Sequence, residues 1–524
     1  SNAQIFDITS YGAVGNGTTL NTTAIQNTVD ACYNAGGGTV EVPAGVFLTA
    51  TVFLKSNVEL HLEQGATIKG SSVVSDYPDV IPVIRSYADN YTQRSVFYAE
   101  GQHNISITGE GKFDGNGMSV SFLLDASHKP YGFRFISCSN ITYNGITLIN
   151  SGFWMMHNQD IDTLVIKGIK ITNQNFGNGD GISIDGCRNV VVDSCTADCN
   201  DDPIVIKTTS LIPSENISIS NCTVGTYSRA IKLGTETSGA FRNIHISIIT
   251  VQFSTQGPFG SNSPAKCGIN LSVVDGGSMD NVLIENINMT GIQVPLMIRL
   301  GNRANKYTDT AAVPGVGFLR NVQLQNITAV ATTNVTSSIT GIPGYDATNI
   351  NLKNIDITFP GGQAAVDSGF VVPENISSGP EATIFGDTLP AAGLYVRHVD
   401  TLSICNVHFH PQSQDGRPLY VFAGVLNLDS ISACSSTGIK TRLENSEIRM
   451  FPNPFSNSFT ISGLPFTSSN ITLKIFDEIG KNIYSDKSNS EEMKIKTDSW
   501  LSGIYLIKLY DGYKEIYTQK IVRQ

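Results

Sequence analysis

A short phrase recurs along most of this chain: an asparagine, then alternating apolar and polar residues, then another turn residue. It reads NISITGEG from Asn104, NITYNGITL from Asn140, NVVVDSCTA from Asn189, NISISNCTV from Asn216, NIHISIITV from Asn243, NVLIENINM from Asn281, NVQLQNITA from Asn321 and NINLKNIDI from Asn349. A variant without the asparagine, TLVIKGIKI, begins at Thr163. Successive starts lie 36, 23, 26, 27, 27, 38, 40 and 28 residues apart. Each unit holds short period-2 strands, and no segment between Asn104 and Cys434 carries a helical stripe. Short strands repeating at this interval suit a parallel β-helix, whose coils stack ~4.8 Å apart. A propeller blade needs about four strands and a longer period, and no leucine-rich signature is present. The longer gaps predict loops protruding from single coils. The recurring asparagine is expected to form an interior amide ladder at a coil corner. That role also accounts for sequons such as Asn104, Asn140, Asn216 and Asn326 as turn residues.

The ends differ from the middle. Residues 24–35 (AIQNTVDACYNA) carry apolar residues at helical spacing and stop at Gly36-Gly37-Gly38, which predicts a helix capping the open end of the solenoid. Near residue 435 the composition shifts. The expected organisation is a β-helix over 4–435, a linker over 436–448 and a small β-sandwich over 449–524, an all-β protein throughout. Ser1-Asn2-Ala3 has the look of an expression scar, so an export leader is expected to have preceded it.

Composition narrows the function. Charged residues make up only 15% of the 524, with 34 Lys and Arg against 45 Asp and Glu. The net of -11 lacks the basic footprint of a nucleic-acid binder, and 40% hydrophobic residues argue against disorder. No apolar run approaches the ~20 residues of a membrane span. The nine cysteines include no CxxC pair, so zinc is not expected and buried reduced thiols are.

Chemistry concentrates in three successive coils. They read Asn178-Gly179-Asp180-Gly181-Ile182-Ser183-Ile184, then Asn200-Asp201-Asp202-Pro203-Ile204-Val205-Ile206, then Ser228-Arg229-Ala230-Ile231-Lys232-Leu233. Aligning the Ile-x-Ile strands puts Asp180, Asp202 and Arg229 in one column and Ser183, Val205 and Lys232 in a second. Asp201 lies one step aside. Three carboxylates this close repel, so at least one should keep its proton at neutral pH. A protonated carboxyl beside an ionised one is what glycoside hydrolysis requires. Any one aspartate could serve a turn; three together, with an Asp-Asp pair entering a strand, are harder to explain so.

These residues resemble glycoside hydrolase family 28, the polygalacturonase and rhamnogalacturonan hydrolase family. The similarity runs from Phe6 to about Cys434 through YGAVGNG, GGGTVEVPAG, LKSNVELHLEQGATIKG, GKFDGNG and NSGFWMMH. The resemblance implies a right-handed parallel β-helix and an inverting hydrolase with Asp180, Asp201 and Asp202 as its catalytic set. It puts the acid on Asp202 or its neighbour, of the two Asp202 being taken as the acid, with Asp180 and Asp201 holding the water. The family's Gly-His-Gly falls on Ser228-Arg229-Ala230; its Arg-Ile-Lys, which holds a uronate carboxylate, falls on Asn270-Leu271-Ser272, so weak or no activity on unsubstituted polygalacturonate is expected. Asn178, Arg229, Lys232, Glu236, Arg299 and Arg303 are the expected substrate-binding residues, with no metal and no cofactor. Further on, SSITGIPGY from Ser337, Pro380-Glu381 and LPAAGLYVRHV from Leu389 resemble a branch of the family found in polysaccharide-degrading bacteria.

The C-terminal FPNP, LKIFDEIGK and SGIYLIKL resemble the type IX sorting domain of Bacteroidetes, implying handling by that secretion machinery and a secreted or surface location. The reading is thus a secreted, monomeric hydrolase of a pectic or related polysaccharide. A lyase using Ca²⁺ and an arginine or lysine base, and a non-catalytic glycan-binding solenoid, are the alternatives. Two quantities follow. A pair of catalytic carboxyls should lie ~6.5–9.5 Å apart, and Asp202→Asn should hardly affect folding because it relieves repulsion.

Overall fold

The computed structural model describes residues 4–431 save 258–259, 261 and 367–369, and from residue 449 onward seven strands with a few flanking residues. The chain divides into two compact units, Ser1–Ala433 and Cys434–Gln524. The expected linker over 436–448 lies outside the described residues.

In the first unit 31 strands join one continuous sheet that winds as a parallel β-helix. The register explains the repeat. Ile141 pairs with Leu164, Leu164 with Val190, Val190 with Ile217, Ile217 with Ile244, Ile244 with Val282, Val282 with Val322 and Val322 with Ile350. Every member of this column is at most 2% exposed. A one-residue slip would turn the whole set to solvent, so the alternation fixes the register. Each such side chain contributes about 1.5–3 kcal/mol by burial.

The asparagine ladder exists, but on the outside. Asn140 Nδ2 donates to Asn104 Oδ1 (2.7 Å), Asn243 to Asn216 (3.0 Å) and Asn281 to Asn243 (2.8 Å), all exposed. These residues hold φ near +55° (Asn104 55°, Asn140 54°, Asn243 54°), where asparagine is better tolerated than other side chains. The left-handed corner turns the amide out of the coil, which corrects the expectation of an interior ladder.

The helix Thr22–Asn34 buries Ile25, Val29 and Cys32 at the first coils and ends at Gly36 and Gly37, with φ of 96° and 111°. Between Asn104 and Cys434 the only α-helix among the described residues is Val120–Leu124. Seven cysteines are free and buried, as expected, whereas Cys405 is disulfide-bonded. Two long insertions, 71–94 and 362–393, carry no strand among the described residues. The second unit has a three-stranded and a four-stranded antiparallel sheet sharing one core that includes Phe459, Ile461, Leu473, Ile507 and Ile521.

Candidate active site

Strands Ile182–Asp185, Ile204–Thr208 and Arg229–Thr237 lie side by side, with Ser183 against Val205 and Val205 against Lys232. Three residues before each stand Asp180, Asp202 and Arg229, in the column that the spacing required. Backbone bonds fix this corner: Met155 N–H donates to the Asp180 carbonyl (2.8 Å) and Gly181 N–H to the Asp202 carbonyl (2.9 Å). Gly181 is needed here, because a Cβ on it would stand 2.5 Å from the Pro203 carbonyl oxygen.

Asp180 and Asp202 are each 2% exposed, while Asp201 is partly open. One oxygen from each of the three lies within 4.8 Å of the others. The coil rise sets this spacing, and ion pairs draw the side chains inward.

Two buried lysines supply those pairs. Lys232 Nζ stands 2.6 Å from Asp202 Oδ2, and Lys207 Nζ stands 3.0 Å from Asp180 Oδ2 and 3.6 Å from Glu236 Oε2. Lys207 also sits 3.7 Å above the Trp154 ring. Arg229 pairs with Glu381, donates to Ser228 Oγ (2.9 Å), and its N–H reaches Asp202 Oδ1 (3.3 Å). Asp201 has no cation within ion-pair distance among the described residues.

These contacts separate the three acids. Burial would raise the Asp202 carboxyl, but Lys232, Arg229 and Lys207 hold it down to about 2. Burial, with the charges of Asp201 and Asp202, pushes Asp180 up to about 8 against the pull of Lys207. Asp201 is raised too, first by burial and then by Asp202. Burial and like charge thus favour the protonated form of Asp180 and Asp201, while the cations favour the ionised form of Asp202. Lys232 favours the ionised form of Asp202, which runs against the acid role that the resemblance gives it. Asp180, Asp201 and Asp202 have the spacing to hold a metal ion, but Lys207 and Lys232 already bring positive charge to Asp180 and Asp202.

The expected binding residues fall in different places. Arg229 and Lys232 stand at the carboxylates. Asn178 is exposed at the lip in a left-handed turn (φ 58°). Glu236 is buried, accepts from Tyr91 Oη (2.9 Å) and braces Lys207. Lys207, Lys232 and Arg303 overcome burial and hold its carboxyl down to about 2. Arg303 forks onto Asp275 at 2.9 and 2.5 Å. Arg299 is fully buried and donates to Thr340 Oγ1 and to the carbonyls of Gly341, Glu374 and Asn375. Its guanidinium clamps the 362–393 insertion through Nη2, and its buried Nε has no hydrogen-bond partner among the described residues.

Sequence reasoning missed Lys207, Tyr91 and Trp154. Lys207 had a signal: it is a lysine closing the apolar run Ile204-Val205-Ile206 in a strand whose neighbours are all buried. Also missed was the fully buried His157–Asp185 pair (3.0 Å), locked by the Thr209 N–H on Asp185 (2.8 Å) directly beside Lys207 in register.

Carboxyls held in different protonation states on a parallel β-helix fit an acid–base hydrolase of glycosidic bonds. Residues 32–373 match the model of glycosyl hydrolases family 28, and the chain belongs to that family and is a glycoside hydrolase. A probable polygalacturonase of Vitis vinifera is 27% identical over 76% of this chain and 82% of its own length. An exo-poly-alpha-D-galacturonosidase of Dickeya chrysanthemi is 44% identical over 126 residues, 22% of this chain and 20% of that protein. The structure of the family 28 exopolygalacturonase of Yersinia enterocolitica superposes with a TM-score of 0.60 at 18% identity, covering 82% of this chain and 79% of that one. Residues 449–524 match a secretion system C-terminal sorting domain, the type IX signal, so the protein is secreted or held at the cell surface. Among the described residues no helix is long and apolar enough to cross a membrane.

Proposed function

We propose that this hydrolase cleaves a pectic polysaccharide outside the cell with inversion at the anomeric carbon, Asp201 giving the proton and Asp202 taking one from water. The observation that carries the assignment is the Lys232–Asp202 contact of 2.6 Å, beside a partly open Asp201 with no cation in ion-pair distance among the described residues. Asp202, ionised, is the base. Asp180 shares the proton with Asp201 and orients the water. Lys207 and Glu236 hold Asp180 in place. The pectic substrate is supported by the named activities of the relatives, a probable polygalacturonase and an exo-poly-alpha-D-galacturonosidase.

The lyase reading is less well supported. A lyase base must lose a proton readily, and Asp202, Glu381 and Asp201 outweigh burial to raise the Arg229 guanidinium above its ordinary value. The test is product analysis on a panel of pectic polysaccharides and oligosaccharides. Reducing ends with inverted anomers by NMR are expected. Products absorbing in the ultraviolet, or retained anomers, would refute the proposal.

A further inference from the structure

The polar side chains around the catalytic aspartates form a closed set of charges. Lys207 is held by Asp180 and Glu236, Lys232 by Asp202 and Arg229 by Glu381. Counting Asp201, five carboxyl groups face three cations. With one proton on the Asp180–Asp201 pair the set still carries one excess negative charge. The exposed Lys266 lies over the Tyr227 ring (5.2 Å) and pairs with none of these carboxylates.

Glu381 comes from the 362–393 insertion, which the structure pins in place. Asn270 Nδ2 donates to the Pro380 carbonyl (3.2 Å), next to Glu381 in the chain, and Arg299 holds the carbonyls of Glu374 and Asn375 at 3.0 Å each. Asn270 is in register with Lys232, one coil on. The insertion thus lays its own carboxylate on Arg229, the cation best placed to meet a ligand. Arg229 retains a side-chain exposure of 12%, and Glu381 one of 57%.

We infer, resting on the hydrolase reading above, that the sugar unit seated at the cleavage site is uncharged: a neutral sugar or a methyl-esterified uronate, with Glu381 standing where the carboxylate of a free uronate would bind. An exposed ion pair is weak, so a uronate could displace Glu381. It would gain little, because the displaced carboxylate stays on the pinned insertion near Arg229 and the net charge of the set becomes more negative. An ester or a hydroxymethyl group escapes that repulsion.

The experiment compares hydrolysis of one homogalacturonan in its methyl-esterified and free-acid forms, alongside neutral pectic glycans, by the full-length enzyme and by Glu381→Gln. Calorimetric binding of galacturonate and of its methyl ester to the same two proteins gives a second readout that needs no turnover. The expected result is a kcat/KM and an affinity at least tenfold higher for the uncharged form in the native enzyme. Glu381→Gln should narrow that ratio several-fold by improving the acid arm. A native enzyme that prefers the free acid, or a ratio unmoved by Glu381→Gln, overturns the inference and leaves the hydrolase reading standing. Absence of hydrolysis on every pectic glycan, charged or neutral, overturns both.

Discussion

At the scale of single residues, the site is decided by which carboxylate each lysine reaches. Asp201→Asn removes a proton donor and leaves no buried charge behind. Its rate on an unactivated substrate should fall by ~10²–10⁴-fold, with a melting temperature near that of the native protein. Asp202→Asn should also lose activity, but it strands Lys232, which is buried at 7% exposure. Breaking a buried pair costs about 3–5 kcal/mol, so thermal or denaturant unfolding should show clear destabilisation, contrary to the expectation from repulsion alone. The pH dependence follows with its sign. Asp202 and Glu236, held down to about 2, give stability that is present above the ordinary carboxylate value of ~4 and is lost as pH falls through about 2. Asp180, raised to about 8, acts oppositely: the folded state binds its proton more tightly, so stability is lost as pH climbs from ~4 toward about 8. With Asp201 raised by burial and by Asp202, and Asp202 held down, kcat/KM should persist above the ordinary carboxylate range on the alkaline side and hold far into the acid range. A profile with both limbs near the ordinary carboxylate value would contradict the separation of the three acids.

At the scale of the element, each coil works because its corners are exact in backbone conformation. Asn243→Ala loses two ladder bonds and forces an alanine to φ +54°, a penalty of about 1–2 kcal/mol. Asn243→Gly loses the same bonds without the backbone strain and should unfold at a higher denaturant concentration than the alanine variant. Gly181→Ala should push the Asp180 segment from the Pro203 carbonyl and lower kcat along with stability, the latter by roughly 1–3 kcal/mol. Much of this was legible in the sequence. The Ile-x-Ile alignment placed Asp180, Asp202 and Arg229 in their column because a period-2 strand leaves no freedom of register. The side on which the asparagine amide projects was not legible, since alternation says nothing at a left-handed corner. The fates of Arg299 and Arg303 were not legible either, because their partners, Glu374, Asn375 and Asp275, come from distant loops whose path no local pattern encodes.

At the scale of the whole molecule, the chain is a catalytic solenoid followed by a sorting unit, and each has its own core. Deleting residues 449–524 should leave hydrolysis intact in purified protein while retaining the enzyme inside the cell, measured by activity in medium, surface and lysate fractions. Export without those residues would contradict the sorting role. The two insertions bring distant chain to the site: Tyr91 reaches Glu236 across 145 residues of sequence, and Pro380 reaches Asn270 across 110. Substrate choice in this scaffold is thus written in loops laid over the coils, while the coils set the acid–base geometry.

The central claim is that Asp201 gives the proton and Asp202 stays ionised, and leaving-group chemistry tests it most directly. A glycosyl fluoride of the accepted sugar departs without needing protonation, so only the base is required. The account predicts that Asp201→Asn hydrolyses the fluoride at close to the native rate while failing on the natural glycoside, and that Asp202→Asn fails on both. A fluoride rate retained by Asp202→Asn and lost by Asp201→Asn would reverse the two roles and contradict the account.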